Sequence, residues 1–201
     1  CSSDLGVLGV PDFTTVQFSR GVSASTVGAY VYGIDVLADG ALYVADFTLN
    51  RVLVYNDPAS KANGAAADYV LGQTDFTSSA PATTASGLKS PLGLGYNAQA
   101  GYLMIPDYSN NRVVAYSRMK EDDCFYGFGE KTGELDKNKT FQRERATDAM
   151  GYDAEKMDTL YKHIPFYIRL DRDTKKAVGV FYHNFYESVF NMGREKRNYW
   201  P

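Results

Sequence analysis

A stretch near the start of the chain comes back about sixty residues later, and this recurrence limits the folds open to it. LGVPDFTT at Leu8–Thr15 returns as LGQTDFTS at Leu71–Ser78, an offset of 63. GALYVADFTLNRVLVY at Gly40–Tyr55 returns as AGYLMIPDYSNNRVVAY, which ends at Tyr116, an offset of 61. Gly33 and Gly93 fall at matching places between them. A period near 60 with several short strands per repeat points to blade-like β units or a solenoid. ALYVAD and YLMIPD are short apolar runs that each end at an aspartate, and RVLVY and RVVAY read as the strands that follow. Asparagines in FTLN and YSNN supply the tight turns between them. Asp46 and Asp107 are expected to accept hydrogen bonds from turn amides. Arg51 and Arg112 are expected to reach neighbouring backbone or acids. An Asp and an Arg that recur at one position of a repeat mark structural pins more readily than a site.

The repeat stops where the composition changes. Residues 1–118 contain no glutamate and carry 15 charged residues, whereas residues 119–201 carry 30 in 83 positions. The first stretch is rich in Ala, Gly, Ser, Thr and Val, the second in Lys, Glu, Tyr and Phe. This shift places a domain boundary near Ser117–Asp122, giving domains 1–118 and 119–201. Net charge is −3 and the isoelectric point about 5.4, which argues against a general nucleic-acid binder, since that needs a basic stripe to release counterions. The longest apolar runs are only a few residues, too short for a transmembrane helix. No basic segment followed by an apolar one opens the chain as a signal peptide would. Cys1 and Cys124 are the only cysteines, too few for a disulfide scaffold. Cys1 ahead of Ser-Ser-Asp fits the lipid-bearing first residue of a mature bacterial lipoprotein, and more readily an arbitrary chain boundary, so the compartment stays open.

The pattern LYVAD (Leu42–Asp46), NRV (Asn50–Val52) and Tyr55, with its second copy, resembles the NHL repeat of β-propellers. The VLGQTDFT lead-in occurs in bacterial members of that group. The resemblance covers residues 5–118, two blades. It implies a platform for a protein, peptide or ligand, with no fixed chemistry. Pro106 stands where the repeat usually has alanine. Lacking an N–H, it should lie at a strand end or edge. Two blades do not close a ring, so this piece calls for further blades, a protein partner, self-assembly, or an open arrangement with covered edges.

In the second stretch, FYGFGEKTGELD (Phe125–Asp136) invites a phosphate reading. It fails on spacing. Glu130 separates Gly129 from Lys131-Thr132, so the P-loop pattern is broken, and Thr132 stands where a dinucleotide fingerprint needs its third glycine. HIPFYIRLD (His163–Asp171) alternates as a strand, RDTKK is a polar turn, and AVGVFYHNFYESVF (Ala177–Phe190) reads as the returning strand and its continuation.

FYGFGEKTGELDKN, TDAMGYD (Thr147–Asp153), LYKHIPFYI and AVGVFYHNFYESVFNMG occur in an order and spacing that resemble glycoside hydrolase family 31, the α-glucosidase and α-xylosidase family. The match runs from Asp122 to about Trp200. It implies an amino-terminal β-sandwich that leans over a (β/α)8 catalytic barrel, with one sandwich loop walling the sugar pocket. Asp148 matches the aspartate of that loop, which contacts substrate hydroxyls, and Tyr152 beside it can cover an apolar sugar face. The alternative is that Asp148 caps a turn. The family is retaining, with a nucleophile and an acid/base on the barrel. Neither motif is present, so no residue here is assigned as catalytic, and Glu130 and Glu134 are not paired as acid and base. His163 and His183, placed on neighbouring strands, lack a third ligand and read as structural rather than metal-binding. No cofactor or metal is expected. Asn138-Lys139-Thr140 is a glycosylation sequon, meaningful only in a eukaryotic secretory chain. The expectation is an all-β chain: two propeller-like blades, then a β-sandwich fragment. Its function is carbohydrate-related with an α-linked saccharide as ligand, the alternative being a propeller-type binding or scaffold protein.

Overall fold

The short apolar runs do fold as strands, and the turns after β2 and β6 fall on asparagine. The computed structural model describes residues 6–15, 21–37, 40–98, 101–117, 119–148, 150–151, 153 and 162–194. The chain forms two compact units, residues 1–117 and 118–201.

In the first unit, β1 (Val31–Val36), β2 (Leu42–Asp46), β3 (Arg51–Tyr55) and β4 (Tyr69–Leu71) form an antiparallel meander in that order. β5 (Gly95–Asn97), β6 (Tyr102–Asp107) and β7 (Arg112–Ser117) form a second, three-stranded meander. Asn50 and Asn111 turn β2 into β3 and β6 into β7 in the left-handed conformation, at φ 53° and 51°, which asparagine tolerates better than most residues. Both faces of the first sheet are buried. Val44, Leu53, Tyr55, Ala67 and Val70 form one core, closed by Leu8, Val27, Leu42 and Phe76. Each buried valine or leucine side chain contributes about 1.5–3 kcal/mol on burial. Tyr43, Ala45, Val52 and Val54 are buried on the opposite face. Pro106 is the penultimate residue of β6, beyond the last β5 partner at Met104, so its missing N–H costs no bond to β5. Its carbonyl accepts from Leu92 N at 3.0 Å.

The two sheets are one structure used twice. Asp46 Oδ2 accepts from Gly28 N at 3.0 Å and from Arg51 Nε at 3.2 Å. Asp107 accepts from Lys89 N at 2.6 Å and from Arg112 Nε at 2.7 Å. Arg51 Nη2 donates to the carbonyls of Ser23 and Thr26, and Arg112 Nη2 to those of Thr84 and Gly87. Each partner is displaced by the same 61 residues. Asp12 likewise accepts from the amides and hydroxyls of Thr14 and Thr15, as Asp75 does from Thr77 and Ser78. Gly9 and Gly72 both have positive φ, 85° and 86°. A Cβ on Gly9 would lie 2.7 Å from Val27, and one on Gly72 2.5 Å from Leu88. Where the sheets approach each other, a Cβ on Gly33 would stand 2.8 Å from Gly93 Cα, so only glycine fits.

In the second unit, β8 (Cys124–Gly127), β10 (Phe166–Asp171) and β11 (Lys176–Phe181) form an antiparallel sheet in the order β11-β10-β8, with β9 (Phe141–Glu144) between β8 and β10 in sequence. β9 pairs instead with β12 (Ser188–Asn191). Phe125, Phe128, Tyr167 and Met192 make the core between the two sheets, with Val180, Tyr182 and Phe190 packed on it. Phe128 meets Tyr167 at 5.2 Å and Phe190 at 5.0 Å between ring centroids. Two sheets joined by an aromatic core form a small β-sandwich. Among the described residues the chain is all-β apart from two short 3-10 turns, and no strand set closes into a barrel.

Candidate functional site

The glycine-rich stretch is a loop tied to its own sandwich. Gly127 lies at φ 138°, and a Cβ there would sit 2.6 Å from Phe166 O. Phe128 follows at φ 63° with its ring in the core. Gly129, at φ 67°, packs against Ile164, where a Cβ would meet Cδ1 at 2.7 Å. Phe128 N donates to Phe166 O at 2.7 Å. That amide is therefore spent on the fold.

Two lysines that look solvent-directed in the sequence are buried here. Lys137 Nζ donates to the carbonyls of Thr132 at 2.9 Å and Glu134 at 2.5 Å, closing the loop on itself. Burial holds its pKa below the ordinary lysine value. Lys131 Nζ lies 3.0 Å from Glu144 Oε1, both side chains almost fully buried, and also donates to Arg143 O. Glu144 Oε2 accepts from Ile164 N at 2.7 Å. This pair joins the glycine loop to the end of β9 and to the entry of β10. Asp136 accepts from Phe125 N and Asn138 N at 2.9 and 3.0 Å. Its burial opposes ionisation, but these bonds and the nearby Arg172 hold its pKa below the ordinary value. Sequence reading misses this network because a lysine's burial is decided by what packs over it. The one available signal was the crowding of glycines around Lys131.

The chain leaves β9 at Glu144 and runs through Thr147 to Asp148, which is exposed. Met150 and Gly151 are exposed too, with Gly151 at φ 71°. Tyr152 lies outside the described residues, so its approach to Asp148 is not described. The buried Glu144–Lys131 anchor thus stands four residues before Asp148, at the base of an exposed loop. Glu130 and Glu134 are exposed. Glu130 pairs with Lys162 at 2.6 Å, so neither carboxylate is set against the other as an acid/base couple. His163 and His183 lie just outside β10 and β11, not on the strands that the sequence suggested, because pairing begins at Phe166 and ends at Phe181. His163 Nε2 contacts Asn184 O at 2.7 Å. The His183 ring stacks on Phe181 at 5.9 Å and meets Phe185 edge-on at 5.4 Å. Among the described residues no cluster of three metal-ligating side chains occurs.

In the first unit an open groove of about 390 Å³ is lined by Tyr30, Phe47, Thr48, Asn50, Lys89 and Ser90. Tyr30 stacks on Tyr32 at 6.1 Å, and Tyr32 meets Phe47 edge-on at 5.0 Å. Asn50 Oδ1 accepts from Ser90 N at 2.8 Å, bridging the two repeats at the groove floor.

A family profile described as the glycosyl hydrolase 31 N-terminal galactose mutarotase-like domain matches residues 35–191, most of the chain. The chain belongs to this family. The matched span of this family 31 domain begins in β1 and includes β8 to β12, the glycine loop and Asp148. "Alpha-glucosidase 2" of Bacillus thermoamyloliquefaciens is 35% identical over 80 residues, which are 40% of this chain and 10% of that protein. A Flavobacterium johnsoniae family 31 dextranase complexed with glucose aligns over 92% of this chain and 19% of its own, at 18% identity and a TM-score of 0.35. A mutant of that dextranase, complexed with isomaltotriose, aligns at 16% identity with the same score, covering 89% and 24%. Scores this low define no shared fold. The family 31 domain thus spans about a tenth of the α-glucosidase's length and a fifth of the dextranase chain. No (β/α)8 barrel is present among its described residues. None of these matches carries the NHL resemblance of residues 5–118.

Proposed function

We propose that this chain serves a family 31 α-glycosidase as a substrate-binding and structural part, with Asp148 as a contact to paired hydroxyls of an α-linked saccharide. One observation carries the reading: the family match runs through the exposed loop that holds Asp148, directly beyond the buried Glu144–Lys131 anchor. A carboxylate on an exposed loop rooted in a rigid strand accepts sugar hydroxyls without paying for a mobile base. Tyr152 is the proposed apolar cover for the sugar ring. The chain alone is not expected to hydrolyse glycosides, because the two carboxylates of a retaining mechanism belong to a barrel. Calorimetric titration with maltose and isomaltose at millimolar concentration tests this. Binding that weakens in Asp148→Ala supports it; no heat from either sugar, or equal affinity in Asp148→Ala, refutes it. Release of nitrophenol from an α-glucoside by the purified chain would refute the non-catalytic part.

A second reading is favoured by the twofold Asp–Arg pin. In this reading residues 1–118 are two NHL-like propeller blades, a separate domain that acts as a platform for a protein or peptide or for its own assembly. Residues 119–201 then form the sandwich domain. Light scattering across a concentration series, together with capture of a defined partner, separates it from the first reading. A strictly monomeric chain with no partner argues for the saccharide role alone.

A further inference from the structure

We infer that the groove of the first unit is a saccharide site of its own, seating a neutral hexopyranose against Tyr30 and Tyr32. It goes beyond the reading above, because Asp148 belongs to the second unit and takes no part in it. The two copies of the repeat differ at this place. GAYVYG (Gly28–Gly33) is one residue longer than its counterpart KSPLG (Lys89–Gly93), and it carries two tyrosines where the second copy has none. The first sheet takes up Tyr32 as a β-bulge, since Val31 pairs with Asp46 and Gly33 with Ala45. Bulges re-aim side chains, often beside binding sites. Tyr30 and Tyr32 stay 59% and 56% exposed, so neither ring is spent on the core. Their rings lie within 9° of parallel, and Phe47 meets Tyr32 edge-on. The second copy builds the same Asp–Arg pin with Ser90-Pro91-Leu92 in this place, so the repeat does not need the tyrosines to fold. Ser90, on the groove, lies at φ 54°, a left-handed conformation uncommon for serine, and its amide donates to Asn50 Oδ1. Backbone strain of this kind collects at ligand sites.

The lining selects the class of ligand. A groove of about 390 Å³ falls within the range of small-molecule sites, about 300–1,000 Å³. The negative face of an aromatic ring attracts the C–H face of a sugar. Thr48, Asn50, Lys89 and Ser90 line the same space with hydroxyl, amide and ammonium groups. Thr48 Oγ1 accepts from Tyr30 N at 3.0 Å, which leaves its O–H to donate. Asn50 Nδ2 donates one hydrogen to Ser79 O at 2.9 Å and carries a second. Hydroxyls that both donate and accept match sugar hydroxyls, which do the same. A proline-rich segment, the other common guest of aromatic grooves, offers mainly carbonyl acceptors. No carboxylate is among these lining residues, so a cationic ligand finds no counter-charge there. The Lys89 ammonium can donate to a ring or hydroxyl oxygen. Aromatic faces beside amphoteric hydroxyls, with one cation and no acid, therefore fit a neutral sugar.

Amide chemical-shift mapping by NMR on the full chain, titrated with maltose and separately with a polyproline peptide, tests the inference. Maltose at millimolar concentration should shift the amides of residues 28–33, 47–50 and 89–90, in the wild type and in Asp148→Ala alike. Tyr30→Ala and Tyr32→Ala should each weaken this binding about fivefold or more, with the β3 amides in place to show that the sheet persists. Tyr30→Phe, which keeps the ring, should retain it. Tyr108→Ala, an equally exposed ring at the second copy's counterpart of Phe47, should leave it unchanged. No groove shifts with maltose, or equal affinity in both alanine variants, overturns the inference. Groove shifts with polyproline and none with maltose overturn the saccharide and assign the groove to a peptide. Maltose shifts confined to residues 141–148 overturn it and leave the Asp148 reading standing; shifts confined to the groove support it and count against Asp148.

Discussion

Replacing Arg51 by alanine should cost the first unit far more than the same change at Arg112, although the two arginines occupy one position of the repeat. Arg51 is fully buried against Asp46, while the Arg112 side chain is 31% exposed. Arg51 holds Asp46 through Nε and the carbonyls of Phe76, Ser23 and Thr26 through its two terminal nitrogens, at 2.7–3.2 Å. Truncation leaves three carbonyls without this donor and one carboxylate without its cation. Asp46 keeps the amides of Gly28 and Leu49, which limits the damage. Breaking a buried pair in this way costs about 3–5 kcal/mol. Water reaches the Arg112 side chain and its contacts to Thr83 O and Thr84 O, and the buried Asp107 keeps Lys89 N and Asn110 Nδ2, so its loss should cost about 1–2 kcal/mol. With a urea m-value of about 2 kcal/mol per molar, Arg51→Ala lowers the unfolding midpoint by about 1.5–2.5 M. Arg51→Lys recovers little, because an ammonium cannot reproduce the planar fork that spans four acceptors. Urea titration followed by hydrogen exchange at residues 42–55 makes the measurement local to the first unit. A cost under about 1 kcal/mol for Arg51→Ala, or equal costs at the two positions, would refute the claim that burial sets the value of the pin.

Gly127→Ala should destabilise the second unit by about 2 kcal/mol or more, since a Cβ would meet Phe166 O at 2.6 Å, whereas Gly133→Ala, with open space around it, should cost about 1 kcal/mol for its positive φ alone. Exchange rates of the β10 amides read the difference, and equal effects would contradict it. Burial pushes the Tyr55 pKa up to about 12, and among the described residues its buried hydroxyl has no hydrogen-bond partner. Tyr55→Phe should therefore leave stability unchanged or raise it by about 1 kcal/mol in a urea titration; a loss of that size would reveal a missed partner. Hydrogen bonds from the Thr14 and Thr15 side chains and amides lower the pKa of Asp12 to about 2. Its folded value lies below its unfolded one, so its contribution is complete above about pH 4 and is lost as pH falls through about 2. A carboxyl titration by NMR should place the midpoint near 2, and Thr14→Ala should move it upward; an ordinary midpoint near 4 would refute the assigned bonds.

The sequence alone determined the repeat, the strands and the pins, because each rests on local spacing. Short apolar, β-branched runs ending at an aspartate decide where β2 and β6 lie, and an asparagine after LYVADFTL can turn the chain at little cost. It also determined the family, since the glycine-loop and TDAMGYD motifs are contiguous. Only the tertiary structure decided what lies between elements distant in sequence. Lys131 and Lys137 stand in a polar stretch, and nothing nearby in sequence reveals that Glu144 and two loop carbonyls take them out of water. Burial of a charge is a property of what packs over it. The same holds for the unequal twins: Val52 and Val113 have the same sequence setting, yet Val52 pairs with Leu71 of β4 and is buried, while Val113 is exposed and among the described residues has no strand on that side. A local pattern repeats exactly, but a neighbour in space does not have to.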